Sequence, residues 1–214
     1  MLRSLTAVFS LSLCLSGALA HADSFKTQTQ NGSKQALRVG AAPYSGQDFT
    51  HGEALAIAHR GEAAMRKTSN VAVRLDTIRV VDSATMSFGK VRGGFVRSMD
   101  AMAKSGKPAD RFVSGYARLM RSDDKGALAS VRAGAKALKT DAAVQLGAAQ
   151  AIADHAWMNG KSPAQQGKLY VEAARYYKRA VALSAKQDRP LVQAGLKGTK
   201  EYMSYYPEMQ KLIK

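Results

Sequence analysis

Small side chains recur at alternating steps of four and three residues through the second half of the chain. In residues 170–185, "YVEAARYYKRAVALSA", the series is Ala173, Tyr177 and Ala180. Such steps keep side chains on one face of an α-helix, and small side chains on that face let two helices approach closely. The spacing therefore predicts closely packed helices and not a catalytic motif.

The pattern divides the second half of the chain into paired helices joined by polar turns. Helices are predicted over residues 110–120, 127–139, 141–158, 169–185 and 189–206. Residues 121–126 and 159–168 carry Gly, Ser, Pro or Asp and are predicted as the connections within the two pairs. The Asp123-Asp124 pair in the first connection is expected to cap the helix that follows.

A glycine lies in each first helix, and a small–large–small series lies in each second helix. The predicted packing residues are Gly115, Ala127, Gly134, Gly147, Ala173, Tyr177, Ala180 and Gly195. This arrangement resembles the tetratricopeptide repeat over residues 108–206, although Arg118 and Gln150 replace an aromatic residue that is usual in that family. The resemblance implies an all-α fold, a short solenoid of antiparallel helical hairpins that ends in a capping helix. The alternative is a generic helical bundle.

The preceding part of the chain is less regular. Residues 23–49 lack periodicity and are predicted to be irregular, whereas a helical domain is expected over 50–214, beginning with a capping box of Thr50 and Glu53. Residues 70–81, "NVAVRLDTIRVV", alternate as a β-strand does and are rich in β-branched side chains. We favour a helix there because no second segment alternates as well to pair with it.

The first twenty residues have the three parts of a secretory signal peptide. Arg3 supplies the positive end, residues 5–15 form a short apolar stretch, and small residues allow cleavage after Ala20 or Ala22. The stretch is too short to span a bilayer, and no later stretch is apolar enough to do so. The sequence therefore predicts a periplasmic or secreted protein without a transmembrane segment in its mature form.

The one cysteine, Cys14, lies inside the predicted signal and follows Leu13, where a lipoprotein needs a small residue. A mature chain without cysteine has no disulfide, no thiolate metal site and no cysteine nucleophile.

The histidines at positions 21, 51, 59 and 155 match no metal-ligand spacing, and no catalytic motif is present. Trp157 is expected to fill the space beneath the loop at 159–168, and the alternative is a tryptophan that stacks on a ligand. Neither a cofactor nor a metal is predicted.

The chain carries 32 basic and 16 acidic residues, for a formal charge of +16, and the basic residues extend along its whole length. In the C-terminal half they alternate with tyrosines, and tyrosine and arginine are favoured at recognition surfaces. The candidate partner-binding residues are Arg175, Tyr176, Lys178, Arg179, Lys197, Lys200, Tyr202, Tyr205 and Tyr206.

Three functions are compatible with these features. The first is an exported, non-enzymatic helical-repeat protein that binds a protein or peptide in the cell envelope. The second is a basic protein that binds anionic envelope polymers or other polyanions through its charge. The third is a periplasmic enzyme of unrecognised type, for which a histidine would have to meet a carboxylate in a cleft.

Overall fold

A computed structural model describes residues 49–121, 126–160 and 162–212. The predicted signal peptide, the irregular segment up to residue 48 and the Asp123-Asp124 turn lie outside these ranges. Within them the regular structure is entirely helical. The helices are α1 (His51–Lys67), α2 (Val71–Thr85), α3 (Gly89–Ala103), α4 (Pro108–Met120), α5 (Ala127–Ala137), α6 (Ala142–Asn159), α7 (Pro163–Leu183), α8 (Arg189–Ser204) and α9 (Pro207–Gln210).

Consecutive helices pack against each other along the array. The α4–α5 and α6–α7 pairs form the most extensive contacts, and their short connections make each pair an antiparallel hairpin. Helix α8 packs on α7, and the short α9 lies against both. The prediction of an all-α array of helical hairpins is confirmed.

Helix α2 occupies the centre of the N-terminal half, where it contacts α1, α3, α4 and α6. The segment at 70–81, which alternates like a strand, is therefore helical. The Asn70 side chain caps the helix by accepting a hydrogen bond from the Val73 backbone N–H at 3.4 Å. Burial of Leu75 and Ile78 among four neighbouring helices outweighs the weak preference of β-branched residues for strands.

Helix α1 begins with the predicted capping box. The Glu53 carboxylate accepts the Thr50 backbone N–H at 2.8 Å, and the Thr50 hydroxyl accepts the Glu53 backbone N–H at 3.3 Å. The inner face of the helix buries Ala54, Ile57 and Met65.

Helix α7 begins earlier than the sequence pattern predicts. Residues 159–168 are predicted as a loop, but the helix starts at Pro163. Ser162 caps it by accepting the Gln165 backbone N–H at 3.2 Å, and proline is well suited to the first helical position. The Ser-Pro pair is the signal for this start, and the loop prediction was wrong over its second half.

The helices of the array approach so closely that several packing positions leave no room for a methyl group. A Cβ atom at Gly115 would lie 2.8 Å from the Ser130 Cβ atom, and one at Gly134 would lie 2.5 Å from the Phe112 Cβ atom. The seam between α4 and α5 is therefore built from glycine on both sides. Four other packing positions are buried: Ala127, Ala173, Tyr177 and Ala180.

The glycines of the first helices do not have equivalent neighbours. Gly115 faces α5, the second helix of its own hairpin, whereas a Cβ atom at Gly195 would lie 2.7 Å from the Tyr177 ring on the preceding helix. At Gly147 it would lie 2.6 Å from the Leu75 side chain of α2. The hairpins are therefore packed by different local contacts and do not repeat one interface.

Candidate functional site

Helix α6 is buried on nearly every side and reaches the surface along one stripe. Gln150 is half-buried, while Asp154 and Trp157 are exposed. Steps of four and three residues place these three side chains on one face of the helix. The stripe lies beside α2 at its Gln150 end and beside α8 at its Trp157 end, as the contacts described below establish.

Trp157 does not fill the space beneath a loop, and that prediction was wrong. Its side chain is 62% exposed. His155 and Ala156 are buried and take the inward positions at this end of α6. Each residue advances about 100° around a helix, at 3.6 residues per turn, so Trp157 is turned out to solvent.

Trp157 belongs to a group of aromatic rings contributed by three helices. Its ring meets that of Tyr202 edge to face, with centroids 5.2 Å apart. Tyr202 also packs against the buried Tyr170 at 4.9 Å and against Tyr206 at 5.2 Å. Next to Tyr206, Tyr205 is 77% exposed. We call Trp157, Tyr202, Tyr205 and Tyr206 the aromatic surface.

The phenols of Tyr202 and Tyr170 are uncharged at physiological pH because the pKa of each is raised. Burial, together with the hydrogen bond that Tyr202 donates to the Tyr206 hydroxyl at 3.3 Å, raises the pKa of Tyr202 to about 12. Burial likewise raises the pKa of Tyr170. Tyr202 therefore offers ring surface and a neutral hydroxyl group to a ligand.

At the other end of the stripe, Arg79 of α2 joins three helices. Its Nε donates to the Tyr116 hydroxyl of α4 at 3.0 Å, and its Nη1 donates to Asp76 at 2.9 Å. Its Nη2 donates to the amide oxygen of Gln150 on α6. The guanidinium thus has a separate partner for each of its three nitrogens.

Asp154 lies between these two ends, one helical turn from Gln150 and one from Trp157. The Asp154 side chain is exposed, and no hydrogen bond from the described residues reaches its carboxylate. Desolvation by surrounding protein raises the pKa of Asp154, and the nearby charge of Arg79 opposes that rise only in part. The carboxylate is therefore accessible at the surface, while the protein around it raises its pKa.

The candidate residues on α7 lie apart from the aromatic surface. Arg175, Lys178 and Arg179 are exposed, and Tyr176 is half-buried with the Arg179 guanidinium 5.8 Å from its ring centroid. Tyr177, which contacts α8 at Gly195, points to the opposite side of the helix from Arg179. The α7 cations and the aromatic surface are therefore two separate surfaces.

On α8 the candidates divide by type. Lys197 and Lys200 are exposed, and Lys197 lies 3.6 Å from the Glu201 carboxylate in a solvent-exposed pair. Tyr202 and Tyr206 instead pack into the aromatic group.

The sequence patterns did not identify Asp154 as a candidate and assigned Trp157 to packing. One signal could have identified Asp154 and Trp157 together. They are three residues apart on a helix whose other positions are rich in alanine, so they share one face.

Of the histidines in the described ranges, His59 is exposed, and His51 and His155 have local partners. His51 packs edge-on against Phe88, with ring centroids 5.7 Å apart, and His155 Nδ1 lies 3.2 Å from the Asn159 amide nitrogen. Within those ranges no three His, Cys, Asp or Glu side chains are grouped so that they would hold a metal ion.

No protein-family model, curated protein or solved structure matches this chain. The inferences about function therefore depend on the surfaces described above. Among the helices that the structure describes, none is both long enough and apolar enough to cross a membrane.

Proposed function

We propose that this chain is an exported, non-enzymatic binding or scaffold protein that engages a protein or peptide in the cell envelope. The tetratricopeptide-like hairpin array is its framework, and the aromatic surface is its binding site. The observation that carries the proposal is the exposure of Trp157 in contact with a tyrosine group on another helix.

A tryptophan that is largely exposed while it packs against a half-buried tyrosine is unusual unless a partner covers it. Tryptophan and tyrosine dominate the binding energy of protein interfaces because they bury a large area with few rotatable bonds. Tyr170 and Tyr206 fix the Tyr202 ring from two sides, so part of the surface is ordered before binding. Pre-organisation lowers the entropy lost on association.

A peptide-display selection on the purified chain tests the proposal. We expect enriched peptides whose affinity falls at least about tenfold in a Trp157→Ala, Tyr205→Ala double variant, the loss typical of hot-spot residues. Leu191→Ala is the matched control, because Leu191 is also an exposed apolar residue but lies near the other end of α8. Enriched peptides that bind the double variant as well as the unaltered chain would contradict the proposal.

A second function, the binding of anionic polymers, is favoured by how the acidic residues are used. Several carboxylates are held in ion pairs with the chain's own basic residues: Asp76–Arg79, Asp82–Arg92, Asp110–Arg74, Glu172–Arg132 and Glu201–Lys197. Arg175, Lys178 and Arg179 remain exposed on α7. Uncompensated cations on one helix attract polyanions by long-range electrostatics.

Binding of dextran sulfate at increasing salt tests this second function. Affinity should fall steeply with salt, and replacing the three α7 cations by glutamine should reduce the slope because fewer counterions are released. Replacing Arg60, Arg66 and Lys67 of α1 by glutamine removes the same charge from another exposed site. Equal losses in the two triple variants would mean that net charge alone acts and that α7 is no binding surface.

A further inference from the structure

Asp154 differs from the carboxylates that the fold uses for its own stability. Asp76, Asp82 and Asp110 each pair with an arginine of the chain. The Asp154 carboxylate has neither an ion pair nor a hydrogen bond from the described residues, although the chain has twice as many basic as acidic residues. An ionised group in a desolvated position is unfavourable unless a partner compensates it.

The nearest cation of the chain does not take this role. The guanidinium nitrogens of Arg79 are directed to Tyr116, Asp76 and Gln150. Arg79 acts on Asp154 through its charge but donates no hydrogen bond to it. The acceptor sites of the Asp154 carboxylate are therefore available to a group from outside the chain.

The surroundings of Asp154 define the chemistry of such a group. Residues three apart on a helix have Cβ atoms about 5–6 Å from each other, so the exposed side chains of Asp154 and Trp157 lie next to each other on the surface of α6. The indole is largely exposed, and its edge-to-face contact with Tyr202 leaves ring surface uncovered. A carboxylate beside an exposed indole is suited to an ammonium or guanidinium group, which binds the acid by a charged hydrogen bond and the ring by a cation–π contact.

We propose that the Asp154 carboxylate and the Trp157 ring together bind one lysine or arginine side chain of the partner peptide. The inference rests on the proposed function, because it identifies the chemistry recognised at one edge of the aromatic surface. Because the chain as a whole carries a formal charge of +16, we expect the peptide around this side chain to be acidic or neutral.

A matched pair of peptides tests this binding site. The probes are acetyl-Glu-Leu-Lys-Leu-Glu-amide and the same peptide with norleucine in place of lysine, which keeps most of the aliphatic stem and removes the charge. Trp157 is the one tryptophan of the chain, so the change in tryptophan fluorescence on titrating the full-length chain reports this site directly. We expect the lysine peptide to bind about tenfold more tightly, the ratio that one charge-assisted hydrogen bond supplies.

Asp154→Asn should abolish that preference and bring the two peptides to the same affinity. Glu208→Gln is the control, because Glu208 is an exposed acid two residues from Tyr206 and its removal changes the net charge equally. Equal binding of the two peptides by the unaltered chain would overturn the proposed site of Asp154 and Trp157, as would an equal effect of the two variants. A titration in which neither peptide changes the fluorescence would also overturn it, whereas the proposed function is judged separately by the display selection.

Discussion

The Trp157 ring meets the Tyr202 ring edge to face at a centroid distance of 5.2 Å, while 62% of the tryptophan surface remains exposed. The two residues come from α6 and α8, whose ends this contact brings together. The contact thus holds a large aromatic side chain in place at the surface without burying it. That combination is better suited to binding a partner than to stabilising the fold.

Replacing Trp157 by alanine should have a small effect on stability. The free energy of unfolding should fall by less than about 1.5 kcal/mol, the value of one aromatic pair, because little indole surface is buried. Phe112→Ala, which removes a fully buried ring, should cost about 3–5 kcal/mol. Urea unfolding followed by circular dichroism compares them. A loss at Trp157 as large as that at Phe112 would show that the indole belongs to the core.

The seam between α4 and α5 should not accept a methyl group at Gly134. Gly134→Ala should lower the free energy of unfolding by about 1–3 kcal/mol, because the new Cβ atom would lie 2.5 Å from the Phe112 Cβ atom. Gly198→Ala, in α8 with no atom within 4 Å of the new Cβ, should instead raise it by about 0.5–1 kcal/mol. Thermal unfolding of both variants checks the opposite signs. Destabilisation by Gly198→Ala would contradict the helix packing described here.

The buried pair of Arg74 and Asp110 should make folding sensitive to acid. Burial alone would raise the pKa of Asp110, but hydrogen bonds from Ser105 and Arg74 and the arginine charge lower it below its ordinary value. A lowered pKa means that the ionised group stabilises the folded state above about pH 4, the ordinary range of an aspartate, and that this stability is lost as the pH falls through the folded-state pKa.

Removing one member of that pair isolates its contribution. Arg74→Met should cost about 3–5 kcal/mol at neutral pH, because it leaves a buried carboxylate without its partner. An Arg74→Met, Asp110→Leu double variant should recover much of that loss. Denaturant unfolding at pH 7 and at pH 3 measures both effects. A single variant as stable as the unaltered chain at pH 7 would contradict the assignment.

Asp154→Asn should have the opposite effect and stabilise the chain at neutral pH. Since desolvation raises the pKa of Asp154, the ionised form destabilises the folded state above that pKa. The destabilisation disappears as the pH falls through the raised pKa, so the two proteins should converge in melting temperature in acid. Glu208→Gln is the exposed control and should leave the melting temperature nearly unchanged at both pH values. An Asp154→Asn variant that is less stable at neutral pH would mean that the carboxylate has a structural partner.

Export is predicted from the first twenty residues and has its own test. Mass spectrometry of the chain recovered from the envelope fraction or the medium of a bacterial host should give a mature N-terminus at His21 or Asp23. Recovery of the uncleaved chain from the cytoplasm alone would contradict the predicted location. A variant with Leu5 and Leu11 changed to arginine, which breaks the apolar stretch, should stay uncleaved.

The helices of the array were largely predictable, because alanine and glycine at steps of three and four define a packing face whatever lies opposite. Segment 70–81 was ambiguous for a physical reason, since its β-branched residues favour a strand locally and become helical through contacts with four other helices. The start of α7 was missed because Ser162 and Pro163 were taken as loop residues although both are frequent at helix starts.

The candidate site was less predictable than the fold. The helical periodicity of α7 predicted which of its residues are exposed, because it places Tyr177 on the opposite face from Arg175 and Arg179. The direction of Trp157 could not, because the end of α6 has apolar side chains on several faces. The proximity of Trp157 to Tyr202 depends on how α6 and α8 meet, and no local pattern encodes it.

The most direct test of the account is an NMR titration of the full-length chain with a peptide obtained from the display selection. The single tryptophan gives one indole N–H signal, which reports the aromatic surface without ambiguity. We predict that this signal shifts together with backbone signals at the end of α6 and in α8. An unchanged indole signal, with shifts confined to Arg175, Lys178 and Arg179 on α7, would contradict the account and favour the basic surface as the site of function.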